Sequence, residues 1–320
     1  MNRRLVLSGL TLLVTSMAAG VLFGSTRLDL GAVLNALFQG SDPVTLALVR
    51  DIRLPRVIMA ANAGAVLAAG GLCFQNVLRN PLAEPYILGV SGGAAVGGIL
   101  GILLGWSVLG NHAAAFTGGL GALALVLRLS PPGRGEQGLL LAGVMLNAFF
   151  GAVILFLIAL AKPTEIGSIM FWFMGNLGGI PLDKALGCTA FLVPGLIFLL
   201  LSSHSMNLLL LGHDAAFTLG LPAQRVMGVL LIVTSLMVSA LVALVGPLGF
   251  VGLVAPQILR LLVGADNRSL MPGSMLFGAS FVILCDLAAR TLPQEGELPV
   301  GVMTALVGAP VFILLQRRAR

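Results

Sequence analysis

Arg50, Arg53 and Arg56 fall within seven residues, and the last two bracket Leu54-Pro55. Guanidinium groups pair with carboxylates through charge-assisted hydrogen bonds, and three so close together are a concentration of charge to be explained. Asp286 precedes Arg290 by four residues, the separation at which two side chains meet on one helical face, so the two are expected to pair. Other reactive types are scattered. His112, His204 and His213 form no cluster, and Cys73, Cys188 and Cys285 sit in apolar segments without CxxC or metal-like spacing. The cysteines read as buried small hydrophobes, and no metal site is expected. There is no HExxH, no pair of carboxylates and no GxxxxGK[ST] phosphate loop, so an enzyme is not expected.

The elements that must hold these residues are membrane helices. The chain is 58% hydrophobic and 9% charged, with a mean hydropathy of +1.05, whereas a soluble domain carries about 25% charged residues. Its 320 residues accommodate roughly ten spans of about 20 residues. Spans are expected at 5–24, 57–78, 87–109, 112–129, 139–161, 185–203, 226–246, 250–263, 271–290 and 298–315. Residues 1–24 have the charge and apolarity of a signal peptide but read better as the first span. The eighth span is short, as a partial or broken helix would be. Forty-two glycines suit helices packed closely through small residues.

With the N-terminus inside, ten spans return the C-terminus inside, and 11 basic residues fall inside against 7 outside. The bias obeys the positive-inside rule, so the net charge of +6 is read as topology and no nucleic-acid partner is expected. The outer side then holds the cluster Arg50, Arg53 and Arg56, with Arg290 ending the ninth span there. Two Gly/Pro-broken hairpins, Arg79–Pro85 inside and Gly246–Gly249 outside, suggest an inverted repeat of helices 2–5 and 7–10. The fold expected is an all-α polytopic membrane protein, one permease domain over 1–320.

Two loops carry further signals. Leu211–Pro222, bounded by Gly212 and Pro222, can form a small inner helix, either lying at the interface or docking a partner. Lys162–Asn176, with Trp172 among phenylalanines, suits an outer interfacial helix. An ion-coupled secondary carrier with inverted repeats is the alternative reading. It would keep carboxylates or a lysine near the midplane, and these are scarce.

RLPR (53–56), QNVLRNPLAEPYILGVSGGA (75–94), LLLAGV (139–144), LGHDAAFTLGLP (211–222), GPLGFVGLVAPQILR (246–260), DLAAR (286–290) and ELPVGVMTALVGAPVF (297–312) follow in order over nearly the whole chain. Together they resemble the membrane permeases of binding-protein-dependent type II ABC importers for iron siderophores, haem and vitamin B12. The resemblance implies a ten-helix subunit working as a homodimer in a bacterial or archaeal cytoplasmic membrane. Two cytoplasmic ATPase subunits bind inside, holding the ATP and magnesium, and a soluble substrate-binding protein docks outside. This chain then needs no cofactor of its own.

Gly212, His213, Asp214, Ala215, Ala216, Phe217, Leu219, Gly220 and Leu221 would form the coupling helix seated in the ATPase. Arg53, Arg56 and Arg290 would receive glutamates of the binding protein. The family lines its path largely with the fifth helix, where Gly143, Asn147 and Gly151 recur at i, i+4 and i+8; tight packing is the other explanation of that stripe. Asn80 and Leu82 match the cytoplasmic gate, whereas Gly135-Glu136-Gln137-Gly138 match no pattern and leave the other half of the gate open. Ferric siderophores are the first expected substrate, then cobalamin or haem.

Overall fold

The computed structural model describes residues 3–24, 28–29, 31, 33, 35, 42–130, 135–293 and 296–318, and every regular element among them is helical. The first half comprises α1 (Arg3–Leu22), α2 (Pro43–Val77), α3 (Val90–Leu103), α4 (Val108–Leu129), α5 (Gly135–Leu160) and α6 (Pro163–Phe173). The second comprises α7 (Leu182–Leu201), α8 (Ser203–Leu210), α9 (His213–Thr218), α10 (Ala223–Val245), α11 (Val251–Val263), α12 (Asn267–Thr291) and α13 (Val300–Arg318). Arg27, Arg134 and Arg320, used above in the charge count, lie outside the described residues.

Seven helices (α1, α2, α4, α5, α7, α10 and α12) are long and apolar enough to cross a membrane, and α3, α11 and α13 are shorter apolar helices. These ten occupy the ten expected spans. The third is shorter than expected because the chain stays irregular from Leu78 to Glu84, makes a 3-10 turn at Pro85–Leu88 and starts α3 only after Gly89. The eighth, α11, has 13 residues, about 20 Å of helix, and falls short of the roughly 30 Å hydrocarbon core.

α2 is longer than expected, since it begins at Pro43 and not at 57. Its N-terminus is capped by the Asp42 carboxylate, which accepts from the Val44 N–H and the Thr45 hydroxyl. Pro55 would normally interrupt a helix, because it lacks an N–H and its ring crowds the carbonyl four residues back. Here the turn Leu48–Arg53 widens to π geometry, with the Leu54 N–H reaching Val49 O, and α2 runs on through the proline.

α2 is the axis of the bundle: 83% of its apolar window is buried, against 11% for α1. It packs on α1, α7, α8, α10, α11 and α12. The approach to α12 is backbone on backbone, since a Cβ on Gly64 or Gly278 would fall inside the other residue's carbonyl group. Gly71 meets Gly252 of α11 in the same way.

Pairings repeat between the halves. α2 packs on α12 as α10 packs on α4; α2 on α11 as α10 on α3; α3 on α4 and α5 as α11 on α12 and α13. This is the repeat of spans 2–5 in spans 7–10, and five intervening crossings make it inverted. The two short helices even share an entry geometry. Gly89 before α3 has φ +76°, and Phe250 before α11 has φ +67°. A left-handed phenylalanine is rare, and the repeated architecture imposes it.

Gly278→Ala is expected to cost about 1–3 kcal/mol by overpacking. Gly121→Ala, where a Cβ meets nothing within 4 Å, should change stability by less than about 0.5 kcal/mol. Thermal unfolding of the detergent-solubilised chain distinguishes the two.

Candidate functional site

At one end of the bundle the arginines converge. Helix α1 ends at Leu22, leaving its last carbonyls without intrahelical partners, and a helix C-terminus attracts cations. Arg53 Nη1 donates to Val21 O and Leu22 O at 2.8 and 2.9 Å, and Arg290 Nη2 donates to Gly20 O at 3.1 Å. Arg290 Nε lies 3.0 Å from Asp286 Oδ2, the pair expected from their spacing. The other carboxylate oxygen, Oδ1, accepts from Arg56 Nε at 2.7 Å, and Arg56 Nη1 reaches Glu297 Oε2 at 2.5 Å.

Asp286 is fully buried, and Arg53, Arg56 and Arg290 are 2, 4 and 6% exposed. These three, expected to receive glutamates of a binding protein, are turned largely inward, where helix carbonyls and a buried carboxylate hold them. Arg50 differs. It is exposed and lines a cleft of about 630 Å³ with Asp51, Asp183 and Gly179. The π turn between Arg50 and Arg53 carries an extra residue, so the two do not share a face as a regular helix would have them. The sequence reading passed over Glu297, although it stands inside the ELPVG motif.

At the opposite end is the turn after α2. Asn80 Oδ1 accepts from the Leu82 N–H at 2.9 Å and closes the turn, leaving Leu82 44% exposed. Burial pushes the Glu84 carboxyl up to about 7. Tyr86 OH accepts from the Leu248 N–H at 2.9 Å, so the two irregular segments of the repeat touch. Beside this turn runs α5, and its expected stripe divides. Gly143 is buried, and a Cβ there would lie 2.5 Å from Ile87 O, so it packs against the turn. Asn147 is exposed, and Gly151 borders open space. The exposed face of α5 continues through Leu141, Met145 and Phe149, which line an apolar cavity of about 350 Å³.

The loop helix α9 lies between two glycines. Gly212 precedes it at φ +101°, and Gly220 follows at φ +83°. Its C-terminus closes with paired bonds, Gly220 N–H to Phe217 O and Leu221 N–H to Ala216 O, the arrangement that a left-handed glycine permits. Ala216 faces inward, Asp214 is exposed, and Phe217 and Leu219 are 74 and 58% exposed. His213 opens the helix; its side chain lies outside the described residues.

A buried amide network unforeseen in the sequence ties α8 to the end of α2. Asn76 Nδ2 donates to Asn267 Oδ1 at 2.8 Å, and Asn267 donates through N and Nδ2 to Asn207 Oδ1. Asn207 Nδ2 in turn donates to Asp266 Oδ1 at 2.7 Å. The Arg268 N–H and this amide hold the Asp266 carboxyl below its usual range.

A multi-pass helical bundle with an inverted repeat is an architecture that many membrane transport proteins share. The chain matches the FecCD transport family over residues 11–318. It is 42% identical to the vitamin B12 import system permease protein BtuC of Escherichia coli, covering 85% of this chain and 84% of that one. It is 38% identical to the ABC transporter permease protein YvrB of Bacillus subtilis, covering 96% and 91%. A metal-chelate type ABC transporter solved in an inward-facing conformation superposes with TM-score 0.90 at 33% identity, covering 98% of this chain and 99% of that one. The PsaBC structure from Streptococcus pneumoniae, at 17% identity and TM-score 0.59, shares the fold. This chain belongs to the FecCD family of ABC importer permeases.

Asp286→Asn leaves two buried arginines without their carboxylate and should cost about 3–5 kcal/mol. Glu297→Gln, at a carboxylate whose side chain is 42% exposed, should cost no more than about 1 kcal/mol. Denaturant titration of the purified chain checks both.

Proposed function

We propose that residues 1–320 act as one permease domain that moves a bulky metal chelate or corrinoid into the cytoplasm, as a homodimer in the cytoplasmic membrane of a bacterium or archaeon. Two ATPase subunits holding ATP and magnesium sit at the end carrying α9, with both termini of this chain on that cytoplasmic side. A soluble substrate-binding protein docks at the arginine end. The observation carrying this reading is α9 itself. A six-residue helix held between two glycines presents Phe217 and Leu219 outward, as a docking element covered by a partner would.

The path runs along the exposed face of α5, with Asn147 and Gly151 on it and Asn80 and Leu82 at its cytoplasmic mouth. Gly143 serves by letting the gate turn pack against α5. The carrier alternative is weakened by Asp286, which two arginines neutralise. Docking of the binding protein uses Arg50 as its first contact, because it is exposed beside a cleft. Arg56 takes part through the side now facing Glu297, while Arg53 and Arg290 hold that surface in shape.

Ferric siderophore, haem and cobalamin all suit such a path. The name of the BtuC relatives supports trying cobalamin first. The test is uptake into proteoliposomes holding the chain and its ATPase, with the binding protein outside and labelled cobalamin, ferric hydroxamate or haem offered in turn. ATP-dependent accumulation of one probe is expected. Accumulation that follows an ion gradient and ignores ATP would restore the carrier. Two variants refine the assignment. Asp214→Ala with Phe217→Ala should abolish uptake while the outer partner still binds. Arg50→Glu should weaken binding-protein affinity about tenfold or more without affecting ATPase co-purification, and unchanged affinity removes Arg50 from the docking surface.

A further inference from the structure

Among the described residues, Arg79 stands between α9 and α5. The main packing partners of α9 are α8 and α10; those of α5 are α3, α4 and the Pro85–Leu88 turn. Between the two lies the Arg79 side chain. Its Nη2 is 2.6 Å from Glu136 Oε1 in the first turn of α5. A Cβ added at Gly212, the residue before α9, would lie 3.4 Å from the Arg79 Nη1.

The backbone at Arg79 is held at φ +44°, and it and Phe250 are the non-glycine residues with positive φ among the described residues. Such a conformation is strained for a long side chain and persists where surroundings enforce it. Here the enforcement comes from both sides of the turn. Asn76, three residues earlier, is anchored through Asn267 to Asn207 of α8, and Asn80 closes the turn onto Leu82. Arg79 is thereby fixed between the segment that reaches the ATPase and the head of the path helix.

We propose that Arg79 is a positioning residue for transport, delivering displacement of α9 to α5 through Glu136. This rests on the permease reading above. It also assigns the Gly135–Gly138 quartet, whose Glu136 becomes the receiving end of the link. The Arg79 side chain is 40% exposed and that of Glu136 14%. A partly exposed ion pair shifts an equilibrium by up to about fivefold, which suits a contact that biases a movement without locking it.

The experiment uses the chain with its ATPase subunits in proteoliposomes and a Gly151→Cys reporter, placed where a Cβ meets open space. The native Cys73, Cys188 and Cys285 are buried and supply the background. The rate of labelling by a membrane-impermeant maleimide from the ATPase side is measured with and without ATP and vanadate, alongside ATP hydrolysis. In the parent the nucleotide should change the labelling rate several-fold. In Arg79→Gln and Glu136→Gln hydrolysis should continue while the nucleotide-dependent change shrinks toward none, and the reversed pair R79E with E136R should recover it.

A full nucleotide response in the single variants, or no recovery in the reversed pair, overturns the link alone. Joint loss of hydrolysis and co-purification in the single variants also overturns it, because the contact is then only structural. A parent whose labelling ignores nucleotide overturns the permease reading and the link together.

Discussion

Where Gly64 of α2 meets Gly278 of α12, two helices approach until backbone touches backbone. Within lipid, helices gain little from the hydrophobic effect when they associate, so close contact and hydrogen bonding must hold them. The rest of the bundle follows from that constraint. α2 can be surrounded only because glycine or alanine stands wherever a neighbour crosses it closely. Once surrounded, its polar residues must find partners inside the protein: Asn62 on Thr189, Gln75 on Gly252 and Arg260, and Asn76 on Asn267.

The two ends of the bundle handle charge differently. At the arginine end Arg53, Arg56, Arg290 and Asp286 are buried, and each has a structural task, whether capping α1 or balancing a charge. A buried, fully engaged cluster is stiff, since moving any member strands another. At the turn end Arg79, Leu82 and Asp214 reach solvent, and the link between Arg79 and Glu136 is one that water can exchange. Rigidity at one end and exchangeable contacts at the other suit a surface that is recognised and a turn that moves.

Much of this was legible in the sequence because it depends on local pattern. Apolar runs located the ten membrane helices, Gly212 and Pro222 bounded α9, and spacing alone paired Asp286 with Arg290. What escaped depends on contacts between distant residues or on departures from the regular helix. Arg50, Arg53 and Arg56 are equally spaced in sequence, and only the π turn that accommodates Pro55 separates the first from the other two. The stripe of Gly143, Asn147 and Gly151 has a helical period, but periodicity does not reveal that a turn covers one of its members. Glu136 matched no pattern, because its meaning lies in an arginine 57 residues away.

The length of α2 has a mechanical consequence. A single helix of 35 residues extends about 52 Å, well beyond the hydrocarbon thickness of a bilayer. Its first turns border the cleft with Arg50 and its last carry Asn76 into the amide network. Such a rod is a beam supported in its second half, where Gly64 and Gly71 touch their neighbours. Tilting it by about 10° about Gly64 would swing the Pro43 end by roughly 5–6 Å and the Val77 end by roughly 3 Å. The π turn interrupts that rod close to the arginine end, where Arg53 ties it to α1. A load on the shaft below the π turn bears directly on the turn that carries Arg79.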